Sequence, residues 1–213
     1  MQIDPTNQTQ KENYKLLIGS VLPRPIAFVT SLRPGGIVNA APFSFFSVVA
    51  TEPPMLSITC ARKPGGVKKD TLYNIEKQQD FVVHVVTEAQ VEKINATAID
   101  FPPDISEAES VGYDLLPSER IGTPRIKQSP IQMECKLHQI LPLGGDEASP
   151  NCDLIIGEVV MFHIDPALYR DGKINTEALQ PVGRLAGLNY TTIGKTFTMP
   201  RPSYAEWKAR NQN

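Results

Sequence analysis

Five short runs rich in β-branched and aromatic residues alternate with glycine- and proline-containing turns along this chain. They occupy positions 26–32, 55–61, 81–86, 131–141 and 154–164. Runs of this composition between turn residues predict β-strands. Many short strands with a few helices predict a mainly β protein, folded as a closed or partly closed barrel with helical additions.

Two of these runs indicate where their strands lie in a sheet. In 131–141, apolar residues at positions 131, 133, 135 and 137 alternate with polar residues, so this strand has two unlike faces. The run at 81–86 is apolar on both faces, which predicts a central strand. After the first run, the residues from Arg33 to Gly36 predict a tight hairpin turn.

Helical periodicity is confined to short segments. The residues from Tyr14 to Val21 carry apolar side chains at helical spacing, and Pro23 ends this predicted helix. Further helices are predicted at 71–78 and 88–98. Asp70 is the predicted N-cap of the first of these two.

The stretch 100–130 is polar, contains five prolines and has a helical signal only at 106–110. A structureless excursion of this length is uncommon in a compact domain and often covers a site or an interface. A plain surface loop would have the same composition. Because strand signals resume afterwards, the whole chain, 1–213, is predicted to form a single domain.

Charge and cysteine content exclude several classes of protein. With 21 basic and 23 acidic residues, the chain offers no electrostatic argument for binding nucleic acid or a membrane surface. No apolar run approaches the roughly 20 residues that span a bilayer, and the polar N-terminus does not resemble a signal peptide. The three cysteines, at 60, 135 and 152, are odd in number and widely spaced, so they imply no disulfide framework. We therefore expect a cytoplasmic protein whose cysteines are small core residues.

Familiar catalytic signatures are missing from the sequence. It has no Rossmann glycine fingerprint, P-loop, nucleophile elbow or HExxH helix. Cys135 and His138 are three apart on a predicted strand and face opposite sides, which disfavours a metal site, although a remote pairing with Cys152 or His163 stays open. His84 is interpreted as a hydrogen-bonded core histidine, and His163 either as structural or as a site residue near a strand end. Without an acid–base or nucleophile set, any reaction would depend on a bound cofactor.

Two consecutive segments, 23–31 and 39–47, combine hydroxyl, small and aromatic side chains. Small residues let a ligand approach the backbone, and the hydroxyls of Thr30, Ser31 and Ser44 are suited to bind ligand oxygens. An ordinary pair of barrel strands with a serine-rich turn is the alternative.

The segment from Lys68 to Thr71 places two lysines and a hydroxyl at the start of a predicted helix. The free backbone N–H groups of a helix N-terminus, together with cationic side chains, form a potential anion site. A solvated charged surface is the alternative for this segment.

Eight motifs in a fixed order resemble the flavin reductase-like, FMN-binding split-barrel family. They are PRPIAFVTS, NAAPFSFF, EPPMLSI, KKDTLYNI, SPIQMEC, IIGEVVMFHI, PVGRLAGLNY and MPRP, and they extend over 14–202. The resemblance implies a Greek-key split barrel, a homodimer and FMN bound near the dimer interface.

Carried over by position, the resemblance also implies the residues of a flavin site. Lys69 and its neighbours would hold or frame the phosphate, and His163 lies where a nicotinamide or substrate would approach. The cofactor-binding set comprises Arg24, Thr30, Ser31, Asn39, Ala41, Ser44, Phe45, Phe46, Thr59, Cys60, Ala61, Lys68, Lys69, Asp70, Thr71, Arg184 and Tyr190.

The function implied by the resemblance is that of an FMN-dependent NAD(P)H:flavin oxidoreductase. Its electrons would pass to free flavin, a protein partner or a small molecule. An FMN carrier or electron shuttle of the flavoredoxin type, without nicotinamide activity, is the alternative. A third possibility is a barrel that has lost its flavin and serves in protein interactions.

Overall fold

The computed structural model describes residues 1–146 and 148–211. The α-helices are Gln10–Ser20 (α1), Asp70–Gln78 (α2), Val91–Ala96 (α3), Glu107–Ser110 (α4), Thr176–Leu179 (α5) and Tyr204–Asn211 (α6). The strands are Arg24–Pro25 (β1), Ala27–Leu32 (β2), Val38–Phe43 (β3), Phe46–Thr51 (β4), Pro54–Ala61 (β5), Asp80–Val85 (β6), Leu115–Leu116 (β7), Arg125–Ile126 (β8), Ile131–Leu143 (β9), Cys152–Ile164 (β10), Tyr169–Arg170 (β11), Lys173–Ile174 (β12), Val182–Arg184 (β13) and Tyr190–Thr192 (β14).

A seven-stranded antiparallel sheet in the order β3-β2-β6-β9-β10-β5-β4 forms the body of the protein. Its two edge strands, β3 and β4, follow each other in sequence with only Ser44 and Phe45 between them. The two edges of the sheet must therefore lie close together, and the sheet curls into a barrel that is split between β3 and β4. The predicted mainly β barrel with helical additions is confirmed.

All five predicted strands are present, and β6 is central, between β2 and β9. The predicted hairpin turn is also present, since the Arg33 N–H donates to the Ile37 carbonyl at 2.8 Å. Strand β4 was not predicted, because its apolar residues do not alternate with polar ones, and most of its side chains are exposed.

The barrel interior is packed around Phe81, Leu72 and Ile75, which are fully buried. Gly157 lies opposite this cluster in the middle of β10, and a Cβ atom there would collide with the Phe81 ring. A close ring-to-backbone contact therefore requires glycine inside an otherwise β-branched strand.

A second cluster joins the barrel to α3 and α4, and it includes Phe28, Ile94 and Ile126. His84 is fully buried beside this cluster. Its Nε2 accepts a hydrogen bond from the Ile126 N–H at 3.0 Å, so its Nδ1 carries the proton and donates to the Phe28 carbonyl at 2.9 Å. The interpretation of His84 as a satisfied core histidine is confirmed.

The buried ring of His84 makes folding sensitive to acid. Burial lowers the pKa of His84 from 6.5 to about 4. Between these two values the unfolded chain binds a proton that the folded chain does not, so the free energy of unfolding should fall as the pH drops from 6.5 to about 4. Urea unfolding across this range should show the slope, and a His84→Gln variant should lose that part of it. An identical slope in both proteins would assign the acid sensitivity elsewhere.

Two predictions about helix ends are wrong. Helix α2 begins at Asp70 itself with Lys69 at the N-cap, because the Asp70 carboxylate turns to Arg33, 3.4 Å away, instead of capping the helix. Helix α3 is shorter than predicted because the backbone before it pairs with another segment: the Glu88 N–H donates to the Gln180 carbonyl at 3.0 Å.

The stretch 100–130 covers part of the barrel, and it contains structured elements instead of being a plain solvated loop. It contains α4, where a helical signal was predicted, with Ser106 as its N-cap, and the short pair β7–β8. The Pro124 carbonyl accepts a hydrogen bond from the Thr30 hydroxyl at 2.8 Å, and Glu134 of β9 is fully buried beneath the stretch.

The prediction of three core cysteines holds for two of them. Cys60 and Cys135 are fully buried, whereas Cys152 is only partly buried because it begins β10 at the end of the sheet. Among the described residues, no helix is long and apolar enough to cross a membrane.

Candidate functional site

Two cavities meet on one side of the split barrel and share Pro42, Phe43 and Ala98 in their walls. The larger, of about 390 Å³, lies at the start of α2; we call it the lysine cavity. The smaller, of about 250 Å³, lies beside β1 and β13; we call it the arginine cavity. Of the predicted cofactor residues, the lysine cavity is lined by Asn39, Ala41, Ala61, Lys69, Asp70 and Thr71, and the arginine cavity by Arg24, Ser44, Arg184 and Tyr190.

Long-range packing brings the walls of the lysine cavity together. Strand β3 supplies Asn39 and Ala41, the end of β5 supplies Ala61, and the start of α2 supplies Lys69. The fourth wall is the beginning of the 100–130 stretch. The lysine cavity is therefore built from four separate parts of the chain.

Buried polar groups fix the floor of this cavity. With its amide oriented to satisfy both neighbours, Asn39 donates to Glu107 Oε1 at 3.2 Å and accepts from the Thr71 hydroxyl at 2.9 Å. Glu107 Oε2 in turn accepts from the Ala40 N–H at 2.9 Å. Burial raises the pKa of Glu107, although hydrogen bonds from the backbone N–H groups of Ala40 and Glu107 oppose the rise. The Thr71 hydroxyl is thus committed to Asn39, and a ligand would meet mainly the backbone of Thr71.

Two of the three cations that line the lysine cavity, and also Arg33 beside Asp70, are matched by carboxylates. Arg62 makes two hydrogen bonds of 2.7 Å to Asp153, and Lys63 lies 2.8 Å from Asp100. Arg33 faces Asp70, as described above.

Lys69 differs from these three cations. Its ammonium group has no ion pair with any described residue, and it lies at the exposed start of α2. The first N–H groups of a helix lack intrahelical partners, and the helix dipole adds positive potential there. The cavity consequently keeps one uncompensated positive charge beside a helix N-terminus.

Seven predicted cofactor residues have side chains outside both cavities. Phe45 and Phe46 line an apolar hollow that shares Arg24 and Ser44 with the arginine cavity, and Lys68 pairs with Glu76 at 2.6 Å. Burial raises the pKa of the Cys60 thiol to about 11, as expected for a core residue. The full set outside comprises Thr30, Ser31, Phe45, Phe46, Thr59, Cys60 and Lys68.

His163 is not brought to the other predicted site residues. Its Nε2 lies 2.6 Å from Glu134 Oε1, and it lines a separate hollow with Ser129 and Gln132. Strand β10 meets Ala61 at its start, Cys152, whereas His163 lies eleven residues further along. At ~3.3 Å per residue, this is roughly 35 Å of strand. The structure favours the structural interpretation of His163.

The sequence pattern shared by the family of flavin reductase like domains matches residues 18–178 of this chain. This chain belongs to the flavin reductase-like family. The resemblance inferred from the eight ordered motifs is confirmed.

Solved structures of other proteins match this family member over most of its length. Nitrilotriacetate monooxygenase component B from Bacillus cereus is 47% identical with a TM-score of 0.92, over 93% of this chain and 98% of that one. The 2-nitrobenzoate 2-nitroreductase of Pseudomonas fluorescens is 36% identical with a TM-score of 0.85, and the match covers 96% of this chain and 98% of that one. A split-barrel-domain protein from Shewanella frigidimarina, 20% identical with a TM-score of 0.78 over 95% and 100%, shares the fold.

Sequence reasoning missed three residues that shape the lysine cavity of this flavin reductase-like chain. Arg62 and Lys63 directly follow β5, and their positive charges are visible in the sequence ARKPGG. Glu107 carries no such signal, because α4 reaches β3 only through the fold. The arginine cavity likewise contains Asn95, which accepts a hydrogen bond from the Tyr190 hydroxyl at 2.7 Å.

Proposed function

We propose that this flavin reductase-like protein is an FMN-binding oxidoreductase in which NAD(P)H reduces the flavin and the electrons pass to a further acceptor. The observation that carries the proposal is the uncompensated charge of Lys69 at the start of α2. A phosphate monoester carries about −1.5 to −2 charges near neutral pH. Lysine and free helix N–H groups are the partners that such a group requires.

The residues of the lysine cavity fit a flavin mononucleotide. Lys69 and the first backbone N–H groups of α2 would hold the phosphate, while Arg33 keeps the Asp70 carboxylate engaged. Ala41 and Ala98 leave room for a flat ring system to approach the backbone. The volume of about 390 Å³ lies within the usual range for small-molecule sites.

When bound, FMN would supply reversible two-electron redox chemistry. The protein would orient the two reactants and exclude water, roles that need no acid or base from the chain. This agrees with the lining of the lysine cavity, where the carboxylates of Asp70 and Asp100 face cations and that of Glu107 accepts backbone and amide hydrogen bonds. The acceptor would be free flavin, a protein partner or a small molecule.

The decisive experiment is a visible absorption spectrum of the purified protein supplied with FMN. We expect a bound-flavin spectrum that bleaches promptly when NADPH or NADH is added without oxygen. FMN at 100 times its Kd should also stabilise the fold by about 2.7 kcal/mol.

Two other outcomes would contradict this proposal in different ways. A flavin spectrum that persists with both nucleotides, but bleaches with a ferredoxin-like donor, would favour a carrier of the flavoredoxin type. Failure of FMN to raise the melting temperature would favour a barrel without flavin.

A homodimer is also part of the proposal, and the surface supports it. Val48 and Val49 on the edge strand β4 are 65% and 51% exposed, and Leu17 and Val21 of the neighbouring hollow are each 59% exposed. An exposed apolar edge strand of this kind tends to associate with other chains unless a partner covers it. These residues are therefore suited to an interface between two copies.

Light scattering should give twice the mass of one chain. Val48→Glu should shift the protein towards monomer, because it places a charge in the apolar contact. Tyr169→Glu, at a 52% exposed position of the β11–β12 hairpin, serves as the control and should remain dimeric. Equal dissociation of both variants, or a monomeric parent, would contradict this assignment.

A further inference from the structure

The arginine cavity combines apolar and polar walls with an unusual charge balance. Its walls include Ile26, Phe43 and Ile94, and they also include two guanidinium groups, from Arg24 and Arg184. None of the described residues that line it is acidic. Burying cations among apolar side chains is costly unless an anion balances them.

Arg24 is only 6% exposed and makes no ion pair with any described residue. One of its terminal nitrogens donates to the carbonyls of Ile18 and Val21 at 2.8 and 2.9 Å, and the other to that of Leu185 at 3.0 Å. Its Nε has no partner within the described chain. Three carbonyl groups and the Phe45 ring, whose centre is 5.9 Å away, surround the guanidinium, but no carboxylate among the described residues balances its charge.

Arg184 lies directly opposite Arg24 in the β1–β13 ladder. Like charges at such paired positions destabilise a sheet. The Arg184 guanidinium lies 4.4 Å from the centre of the Tyr190 ring and donates one hydrogen bond, of 2.6 Å, to the Gly187 carbonyl. Most of its five N–H donors therefore remain available to a ligand.

Two neutral donors stand near these cations. The Ser44 hydroxyl makes no hydrogen bond to a described residue, although it lines the cavity. Asn95 accepts from Tyr190 through its carbonyl oxygen, which leaves its amide NH₂ group to donate. A guanidinium with neighbouring hydroxyl and amide donors suits a carboxylate, which accepts several hydrogen bonds at once.

We propose that the arginine cavity binds a planar aromatic carboxylate. The apolar walls would hold one ring, and Arg184, Ser44 and Asn95 would hold the acid group, with Arg24 supplying positive potential from behind. The volume of about 250 Å³ is below the usual range for drug-sized ligands, so a single ring fits and a dinucleotide does not. The inference rests on the proposed function in one respect only, the placing of FMN in the adjoining lysine cavity.

Calorimetric titration of the FMN-loaded protein with benzoate tests the proposal. Benzamide has the same ring without the charge and should bind at least about 10-fold more weakly than benzoate. Benzoate should bind to Arg184→Gln more weakly by the same factor, because a charge-assisted hydrogen bond is lost in each case. Ser44→Ala should give a smaller loss. Arg170→Gln is the matched control, because the Arg170 side chain is 92% exposed on a distant hairpin, and it should bind benzoate unchanged.

Three results would overturn the inference. The first is equal binding of benzoate and benzamide. The second is an unchanged affinity for benzoate in both Arg184→Gln and Ser44→Ala. The third is an apparent Kd for FMN that rises in proportion to the benzoate concentration. The third result would assign this cavity to the cofactor itself. Repeating the titration on FMN-free protein keeps the test separate from the proposed function, because a protein that neither binds FMN nor oxidises NAD(P)H would still bind benzoate here.

Discussion

Replacing Lys69 with alanine is expected to weaken FMN binding about 10- to 150-fold, the usual worth of a charge-assisted hydrogen bond at about 1.5–3 kcal/mol. The reason is that Lys69 is the cation of the lysine cavity without a carboxylate partner among the described residues. Lys69→Glu should weaken binding further, because a carboxylate would repel the phosphate. Quenching of FMN fluorescence on titration with protein measures both dissociation constants.

The adjacent residue provides a matched control. Lys68 is also an exposed lysine, but its ammonium lies 2.6 Å from Glu76, and Lys68 does not line the cavity. Lys68→Ala should change the Kd by less than about threefold, in line with the small worth of surface ion pairs. The difference in the Kd for FMN between the parent and Lys69→Ala should become smaller in high salt, because salt screens the ammonium charge. Equal effects at the two lysines would assign the phosphate to another place.

The strands were predictable because barrel strands carry their own local signal. Runs such as 81–86 and 154–164 are β-branched and bounded by turn residues, and both form strands. Strand β4 also carries β-branched residues, but they do not alternate with polar ones; its Phe46 packs against the barrel core, while most of its other side chains are exposed. Its position at the split of the barrel is a property of the whole sheet, which no short window of sequence contains.

The candidate site was predictable where one segment supplies both the charge and the backbone geometry. Lys69 and Thr71 lie at a helix start that the local sequence indicates, although Asp70 proved to be the first helical residue and not its cap. Glu107 was missed because it reaches the cavity only through the fold, whereas Arg62 directly follows the predicted Ala61 and its charge is visible in the sequence. The family pattern placed Arg24 and Arg184 near the cofactor, but only the strand register shows that they face each other.

Glu134 shows how a correct alternation can still mislead. The pattern of β9 placed Glu134 on the polar face with Lys136 and His138. In the structure Lys136 and His138 are exposed, whereas Glu134 is fully buried beneath the 100–130 stretch. Its carboxylate accepts hydrogen bonds from the backbone N–H groups of residues 119 and 120, at 2.8 and 2.7 Å, and from His163 at 2.6 Å. The cover over this face comes from a segment whose own sequence looks like a loop.

Glu134 is fully buried and lies 3.8 Å from the Nε of Arg125, so replacing Glu134 with leucine should lower the free energy of unfolding by about 3–5 kcal/mol, the usual cost of removing one partner from a buried charged pair. Two backbone N–H groups and His163 would lose their acceptor, while the apolar side chain keeps a similar volume. Urea unfolding of parent and variant measures the difference. Glu158→Leu is the control, because Glu158 is half-buried on the neighbouring strand and makes no side-chain hydrogen bond to a described residue; it should change stability by about 0.5 kcal/mol at most.

Acid should remove the same stabilisation in the parent protein. Burial raises the pKa of Glu134, but the hydrogen bonds from Glu119, His163 and Arg120 outweigh it and bring the pKa below the ordinary 4.5. A carboxylate with a lowered pKa stabilises the fold above 4.5, and this contribution is lost as the pH falls from 4.5 through the folded-state value. The gap in stability between the parent and Glu134→Leu should therefore shrink below pH 4.5. A gap of less than about 1 kcal/mol at pH 7, no larger than that of an ordinary substitution, would mean that water replaces the carboxylate and that the cover over β9 does not depend on it.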